Sequence, residues 1–345
     1  MAVRFGIIGT GRIARRFVPE AAAVSEAGIT AVYNPHPGSA ERFVQTCREK
    51  AGPDMRPAPF ASFDDRNDAG QNFWELVDAV YIASPHETHE SYIRQALLHD
   101  RHVLCEKPMV LSGEAASGLF EIARAKGLVL AEAVKTAYCP GFRKLMETAA
   151  SGVIGDIRYA DACFTKLEDP QNRELTDTLY GGSFPELGSY VLLPAVKLFG
   201  ADPADVFFEC VRGDNGLDLF TRCSLRYTGG LATAVCGLGV KSEGRLVIGG
   251  TKGYLLVPAP WWKTGHFEAH FENSEKTIFY EEHFEGDGLR YEIDAFCRAV
   301  EDAELRETGS GNGHLQEAAG SLMPEESIAM ARIMEQFMRQ ERNTA

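Results

Sequence analysis

A glycine-rich turn directly after the first apolar segment limits what this chain can fold into more than any other feature. Residues 3–9 form a continuous apolar run typical of a buried parallel strand. Gly9-Thr10-Gly11-Arg12-Ile13-Ala14 follows at once, fits Gly-x-Gly-x-x-Gly/Ala and opens a helical segment. The glycines permit a tight turn and a close approach of backbone to a pyrophosphate, which would face the helix N-terminus. The sequence therefore predicts a dinucleotide-binding site at the start of the chain.

The remaining segments predict two domains, since 345 residues are too many for one ordinary core. Up to residue 135, short apolar runs alternate with helical patterns, which predicts a doubly wound parallel sheet, a Rossmann domain over 1–135. From 136 to 345 the strand-like segments alternate in polarity, which predicts an α+β domain with a large, mostly antiparallel open sheet. A last helix, at about 325–339, is expected to pack back on the first domain. The Gly-rich segment 308–313 is expected to form a loop.

The end of the predicted second strand bears on the choice of cofactor. A carboxylate there would bind the ribose 2′-hydroxyl of NAD and repel the 2′-phosphate of NADP. This chain has Asn34, with His36 two residues later. This pattern favours NADP as the cofactor, and NAD stays an open alternative.

Charge and composition narrow the function classes. A formal net charge of −14 disfavours nucleic acid and anionic membranes as partners. No apolar run is long enough to span a bilayer, and no signal-peptide pattern precedes the first strand. The eight cysteines form no Cys-x-x-Cys pair, so we expect reduced thiols in a cytoplasmic protein. His86 and His89 are three residues apart, unlike the zinc motif His-Glu-x-x-His, so no metal is predicted.

Two further segments carry side chains suited to catalysis. Glu106-Lys107-Pro108 follows a predicted strand, at the sheet edge where open α/β sheets bind ligands. Gly181-Gly182 leads into a predicted helix on which Glu186 and Tyr190, four residues apart, share a face. Pro194 is expected to kink or end that helix. Trp261 and Trp262 are expected to cover a sheet or a subunit contact.

Together these motifs resemble the Gfo/Idh/MocA family of oxidoreductases, over nearly the whole chain. The resemblance implies that Lys107 lies beside the nicotinamide and hydrogen-bonds the reacting oxygen, and that Tyr190 donates or accepts the proton. Glu186 stands where members usually carry Asp. The resemblance assigns the cofactor contacts to the glycine-rich turn and to Ser84, His86, His89 and Glu106. Ala137 stands where an arginine is frequent, and Lys135 adds a charge nearby.

The sequence thus predicts an NAD(P)-dependent dehydrogenase or reductase. The substrate would be a small sugar, polyol or related cyclic alcohol with a secondary hydroxyl. The open sheet is expected to form a homodimer or homotetramer. Two alternatives stay open: a non-catalytic NAD(P)-binding sensor or regulator, and a reductase of a non-sugar small molecule.

Overall fold

A computed structural model describes residues 2–307 and 321–344 of the chain. The predicted loop at 308–313 lies outside the described residues. In the described part the strands are β1 Val3–Ile8, β2 Ala27–Tyr33, β3 Ala58–Phe60, β4 Ala79–Ile82, β5 His102–Glu106, β6 Leu130–Ala133, β7 Ile157–Thr165, β8 Asp205–Arg212, β9 Asp218–Arg226, β10 Leu231–Gly237, β11 Leu246–Gly250, β12 Gly253–Val257, β13 His266–Phe271 and β14 Ile278–Glu281. The α-helices there are α1 Arg12–Ala22, α2 Ser39–Ala51, α3 His86–Leu98, α4 Gly113–Ala125, α5 Pro140–Ala150, α6 Arg173–Thr176, α7 Ser183–Phe199, α8 Leu289–Glu307 and α9 Pro324–Thr344.

These elements form two compact units. Unit 1 comprises Met1–Val110, Ser117–Lys135 and Glu285–Ser321. Unit 2 comprises Leu111–Ala116, Thr136–Phe284 and Leu322–Ala345.

Unit 1 contains a parallel sheet of six strands in the order β3-β2-β1-β4-β5-β6. The predicted Rossmann fold is confirmed. Strand order reverses between β1 and β4, so the carboxyl ends of these strands diverge into a crevice that suits a ligand. The edge strand β3 was not predicted, because it has three residues and contains a proline.

The core of unit 1 joins α1 and α8 to the sheet. Phe5, Phe17 and Phe296 are buried together, and the ring of Phe17 stacks on Tyr81 with centroids 3.8 Å apart. Burying aromatic side chains of this size contributes about 1.5–3 kcal/mol each. This packing holds α8 against the sheet.

Unit 2 contains a sheet of eight strands in the order β14-β13-β12-β11-β7-β10-β9-β8. Every pair is antiparallel except β7 with β10. The predicted open, mostly antiparallel sheet is confirmed, although β13 and β14 were not predicted.

Helix α7 packs on one face of this sheet, against β7, β9 and β10. The prediction that Pro194 could end the helix is wrong, since α7 continues to Phe199, and the alternative of a kink stays a prediction. A proline removes one backbone hydrogen bond. Here Leu193, Pro194 and Ala195 are all buried, and their packing holds the turn in place. Helix α9 packs on α7 within unit 2, and its predicted packing on the Rossmann domain stays a prediction.

Candidate active site

The glycine-rich turn has the backbone geometry that a dinucleotide needs. Gly9 has φ of +101°, and a Cβ placed there would lie 2.5 Å from the carbonyl oxygen of Ala83. Gly11 precedes α1 without a side-chain cap, and a Cβ there would meet nothing within 4 Å. Because the N-terminus of α1 follows this turn directly, its positive end favours the negative charge of a phosphate. The residues of this turn fit the pyrophosphate of a dinucleotide.

Asn34 is built into the glycine-rich turn. Its Nδ2 donates to Thr10 Oγ1 at 2.9 Å, and its Oδ1 accepts from the backbone N–H of His36 at 2.9 Å. The structure therefore brings the predicted residues Thr10, Asn34 and His36 together. In the same region Arg42, which was not predicted, donates through Nη2 to Ser39 Oγ at 2.9 Å. In the sequence, only the position of Arg42 in the first turns of a helix after Gly38 could have indicated a role in this region.

His89 connects the ends of β4 and β5. The side chain is fully buried, and its Nδ1 and Nε2 each lie 3.0 Å from a carbonyl oxygen, of Pro108 and Ser84 respectively. Burial lowers the pKa of His89, so the ring is neutral at pH 7 and donates to one carbonyl only. The hydrogen bond from one ring nitrogen to one of these carbonyl oxygens holds the buried His89 side chain in place. His86 is half-buried, with its ring centroid 5.6 Å from that of His89, and Ser84 Oγ hydrogen-bonds Thr88 Oγ1 at 2.7 Å.

Lys107 follows a buried carboxyl group at the end of β5. Glu106 Oε1 accepts from the hydroxyl of Tyr81 at 2.5 Å, and its Oε2 accepts from the backbone N–H of Lys107 at 3.3 Å. Burial raises the pKa of Glu106, while Lys107 and the Tyr81 hydroxyl act in the opposite direction. On β6, Glu132 Oε1 accepts from the backbone N–H of Met109 at 3.2 Å. Two buried carboxyl groups therefore hold the turn that presents Lys107.

Helix α7 presents two side chains together. From Ser183 to Val196 every residue is buried except Glu186 and Tyr190, which are half-buried. Tyr190 lies against Phe164, with ring centroids 5.3 Å apart. Phe164 in turn stacks on Trp262 at 3.6 Å with nearly parallel rings. We call Phe164 and Trp262 the aromatic pair; neither was predicted to belong to the site.

Asp218 fixes the start of α7. Its Oδ2 accepts from the backbone N–H of Phe184 at 2.8 Å and from Thr221 Oγ1 at 2.6 Å. A Cβ on Gly182, whose φ is +111°, would lie 2.1 Å from Asp218 Oδ1. The predicted Gly181-Gly182 turn therefore leaves room for this carboxylate, because Gly182 has no side chain. The sequence gives no local signal for Asp218, which is remote along the chain from the turn it caps.

The described residues contain neither a cluster of metal-binding side chains nor a membrane-spanning helix. Among residues 2–307 and 321–344, no group of three or more His, Cys, Asp or Glu side chains is arranged to hold a metal ion. No helix in those ranges has the length and apolarity needed to cross a membrane.

Comparison with known families decides the assignment of the chain. Residues 3–134 match the oxidoreductase family with an NAD-binding Rossmann fold, Gfo/Idh/MocA, and residues 142–256 match a Gfo/Idh/MocA C-terminal domain. The chain belongs to the Gfo/Idh/MocA family. The glycine-rich turn and the Glu106-Lys107-Pro108 segment both lie within the first of these matches. The predicted family, fold class and enzyme class are confirmed, and the chain is an NAD(P)-dependent oxidoreductase.

Individual relatives agree with this assignment. The chain is 32% identical over 235 residues to scyllo-inositol 2-dehydrogenase (NADP(+)) IolU of Bacillus subtilis, covering 66% of this chain and 67% of that one. It is 26% identical over 279 residues to trans-1,2-dihydrobenzene-1,2-diol dehydrogenase of Bos taurus, covering 80% of each. A crystal structure of KijD10, a 3-ketoreductase from Actinomadura kijaniata in complex with NADP and TDP-benzene, superposes with a TM-score of 0.76 at 26% identity. That match covers 97% of this chain and 96% of KijD10.

Proposed function

We propose that the chain catalyses the reversible, NADP-dependent oxidation of a secondary hydroxyl on a six-membered ring that carries a neighbouring hydroxyl. The observation that carries this proposal is the half-buried pair Glu186 and Tyr190 beside the aromatic pair. A carboxylate, a phenol and a flat apolar surface suit a ring with polar edges and an apolar face. The names of two relatives, an inositol dehydrogenase and a dihydrodiol dehydrogenase, describe ring substrates with adjacent hydroxyls.

The bound nicotinamide cofactor supplies the acceptor or donor of a hydride. The protein has to orient the alcohol and move one proton. Tyr190 exchanges that proton with the oxygen that becomes the carbonyl. Glu186 accepts a hydrogen bond from the neighbouring hydroxyl, and Trp262 packs against the face of the ring. This role is compatible with the contact that Trp262 makes with the eight-stranded sheet through Phe164 of β7.

Lys107 has a separate role, supported by its position and by the family resemblance. It follows β5 at the carboxyl edge of the parallel sheet, where ligands of such sheets bind. Its ammonium group donates a hydrogen bond to the reacting oxygen. Glu106 positions it through the contact with the Lys107 backbone N–H.

The preference for NADP is supported by charge at the end of β2. No carboxylate stands at Asn34, and Arg42 and Ser39 lie together at the start of α2. A guanidinium paired with a hydroxyl suits a phosphate. We propose that Arg42, Ser39 and His36 hold the 2′-phosphate, that the glycine-rich turn holds the pyrophosphate, and that Ser84 and His86 line the ribose.

Titration with NADPH and NADH, followed by nicotinamide fluorescence, tests the cofactor. Turnover is then measured with inositols, cyclic trans-diols and aldose sugars. Tyr190→Phe should lower kcat by about 10²-fold or more, the usual contribution of a general acid or base. It should leave the dissociation constant for NADPH unchanged. The matched control is Tyr280→Phe, a half-buried tyrosine on β14 of the eight-stranded sheet.

Three outcomes would decide against parts of the proposal. Binding of neither cofactor contradicts the assignment as a whole. Tight cofactor binding without turnover on any alcohol or ketone favours the sensor or regulator. Turnover confined to non-ring carbonyl compounds favours a reductase of a different small molecule.

The open sheet of unit 2 supports a homo-oligomer. Leu231, Tyr159, Gly249, Tyr254 and His270 pair in sequence across β10, β7, β11, β12 and β13, which places them in one row on one face. Leu231 is 55% exposed, Tyr159 39% and Tyr254 41%, whereas α7 packs on the opposite side of the sheet. We propose that a second copy of the chain covers this row, in a homodimer or homotetramer, and that residues 136–345 serve both substrate binding and assembly.

Light scattering after size exclusion tests the assembly. Leu231→Glu should lower the particle mass by a whole number of subunits. Leu98→Glu, which changes a 63% exposed residue of unit 1, is the matched control. A monomeric native protein, or no change with Leu231→Glu, would contradict this assembly.

We also propose a cytoplasmic location. All eight cysteines are free thiols and seven are buried, as is usual in a reducing compartment. Fractionation of the source cells tests it.

A further inference from the structure

The indole of Trp262 is fixed by other residues of unit 2 on one face and along its backbone. Its ring lies nearly parallel to that of Phe164, with centroids 3.6 Å apart. The hydroxyl of the fully buried Thr136 donates to the backbone carbonyl oxygen of Trp262 at 2.9 Å. The preceding residue, Trp261, is also fully buried, and its Nε1 donates to the carbonyl oxygen of Cys163 at 2.8 Å. The backbone that carries the indole is therefore held in place.

Gly244 lies against the six-membered edge of this indole. It is a buried residue of segment 238–245, which connects β10 and β11. A Cβ at position 244 would lie 3.2 Å from Cζ3 and 3.4 Å from Cη2 of Trp262, and 3.3 Å from the carbonyl oxygen of Cys163. Carbon atoms in good contact are about 3.5–4.0 Å apart. The backbone of Gly244 lies outside the left-handed region, so an added side chain meets a close contact and not backbone strain.

Segment 238–245 cannot easily move away from the indole, because the residue after Phe164 holds it. Thr165 Oγ1 donates to the carbonyl oxygen of Ser242 at 2.8 Å and accepts from the Ser242 backbone N–H at 2.9 Å. Lys241 Nζ donates to the carbonyl oxygen of Thr165 at 2.8 Å. The end of β7 therefore holds both the ring under the indole and the segment at its edge.

These contacts decide in which direction Trp262 yields when a side chain is added at position 244. The ring of Phe164 blocks one face of the indole, and the hydrogen bond from Thr136 holds the backbone. Trp262 is half-buried, so its exposed side is the direction that is left. The proposed function places the ring of the substrate on that side.

We propose that Gly244 is a positioning residue for Trp262: because it has no side chain, the indole lies flat on Phe164 and leaves room for a six-membered ring on its exposed side. A side chain at position 244 would tilt the indole into that room, and a larger side chain would tilt it further. The effect on substrate rests on the ring alcohol proposed above, whereas the position of the indole does not.

Acrylamide quenching of tryptophan fluorescence in the full-length protein tests the position of the indole without a substrate. The chain has three tryptophans, of which Trp74 and Trp261 are buried, so the quencher reaches mainly the half-buried Trp262. Gly244→Ala should raise the quenching constant, because a tilted indole exposes part of the face that Phe164 now covers.

The control for quenching is Gly229→Ala, at an exposed position in the same unit. A Cβ there would meet only Nη1 of Arg158, at 4.0 Å. This variant should quench like the native protein. Gly244→Ala should likewise have no effect on quenching when it is combined with Trp262→Phe, because the affected indole is then absent. An unchanged quenching constant in Gly244→Ala alone overturns the inference.

If Gly244→Ala does not fold, its combination with Trp262→Phe separates the two obstacles at position 244. A phenyl ring is shorter than an indole and lacks the edge that an added Cβ would meet. The double variant should therefore fold and melt as Trp262→Phe alone does. If the double variant also failed to fold, the obstacle would be the carbonyl group of Cys163, and the inference would be overturned.

Kinetics with a ring alcohol that the native protein turns over tests the effect on substrate. Gly244→Ala should raise KM about tenfold and keep kcat within about twofold, the pattern of binding energy lost equally from ground state and transition state. Gly244→Val should raise KM further, and neither change should alter affinity for NADPH. An unchanged KM beside raised quenching would overturn the role in substrate binding. Raised quenching in a protein that turns over no alcohol would confirm the position of the indole while the proposed function fails.

Discussion

Asn34 Nδ2 donates a hydrogen bond of 2.9 Å to Thr10 Oγ1, so one side chain joins the end of β2 to the glycine-rich turn. In NAD-specific Rossmann domains a carboxylate near this position binds the ribose hydroxyls. Here a neutral amide occupies the same position and closes the turn.

Asn34→Asp should change cofactor preference without opening the turn. The carboxylate can accept a hydrogen bond from the Thr10 hydroxyl, but it repels a 2′-phosphate. We expect the dissociation constant for NADPH to rise about tenfold, equal to about 1.4 kcal/mol, while that for NADH does not rise. Fluorescence titration measures both. Asn34→Ala is the control, since it removes the contact without adding charge and should weaken both cofactors alike. Equal weakening by Asn34→Asp would contradict the charge argument.

Gly9→Ala and Gly11→Ala should separate folding from binding. Alanine at position 9 would be forced to φ of +101° and against the Ala83 carbonyl. We expect a loss of about 1–3 kcal/mol of unfolding free energy. Alanine at position 11 meets no protein atom within 4 Å, so stability should change by about 0.5 kcal/mol or less. Its methyl group should instead weaken cofactor binding. Urea unfolding and titration of both variants check this, and a destabilised Gly11→Ala would disprove it.

The Glu20–Arg290 pair should make unit 1 sensitive to acid. The side chains are 5% and 24% exposed. Burial acts to raise the pKa of Glu20, but hydrogen bonds from Arg290 outweigh it, and the pKa is lowered overall. A lowered native pKa means that the stabilisation is present above the unfolded value, about 4.3, and is lost as pH falls through the native one.

Arg290→Ala leaves Glu20 buried without its partner. The loss at pH 7 should be about 3–5 kcal/mol, and it should shrink as the pH is lowered, because a protonated Glu20 no longer needs a cation. Urea unfolding between pH 7 and 4 measures the difference from the native protein. The control is Arg298→Ala, which breaks a pair with Asp294 in which Arg298 is 68% exposed; it should cost about 0–1 kcal/mol. If Arg290→Ala lost the same unfolding free energy at every pH, the Glu20–Arg290 pair would not be the cause of the acid sensitivity.

Asp218→Asn should loosen the start of α7. An amide oxygen in the place of Oδ2 can still accept from both the N–H of Phe184 and the hydroxyl of Thr221, but it lacks the negative charge that strengthens these hydrogen bonds. We expect about 1–3 kcal/mol of destabilisation and a fall in kcat, with affinity for NADPH unchanged. Thermal melting and steady-state kinetics check this. Asp214→Asn, an exposed neighbour, is the control. An unchanged melting temperature of Asp218→Asn would show that the Asp218 side chain does not stabilise the start of α7.

Local patterns made part of this structure predictable. The strand, the glycine-rich turn and α1 are contiguous, so their geometry follows from neighbouring residues. The Glu186 and Tyr190 spacing likewise needs only the period of a helix. By contrast, β13 could not be recognised as a strand from its sequence. Its alternate positions carry the polar side chains of His266, Glu268 and His270.

Contacts between residues that are distant in sequence could not be predicted. Asp218 meets Gly182 only because β9 packs beside α7. Glu292 reads as the polar side of an amphipathic helix, and only the packing of α8 on α1 buries it. Pro194 does not end α7, because the burial of its neighbours on both sides compensates for the backbone hydrogen bond that the proline removes.

The nearly complete burial of α7 has a consequence for how this enzyme can diversify. Almost any substitution along its first fourteen residues would disturb core packing before it reached a ligand, which leaves Glu186 and Tyr190 as the positions open to change. New substrates are therefore more readily accommodated by changing half-buried positions than by altering the buried side of the helix. A library randomised at Glu186 and Trp262, both half-buried, should retain folded, cofactor-binding members far more often than one randomised at the buried positions of α7.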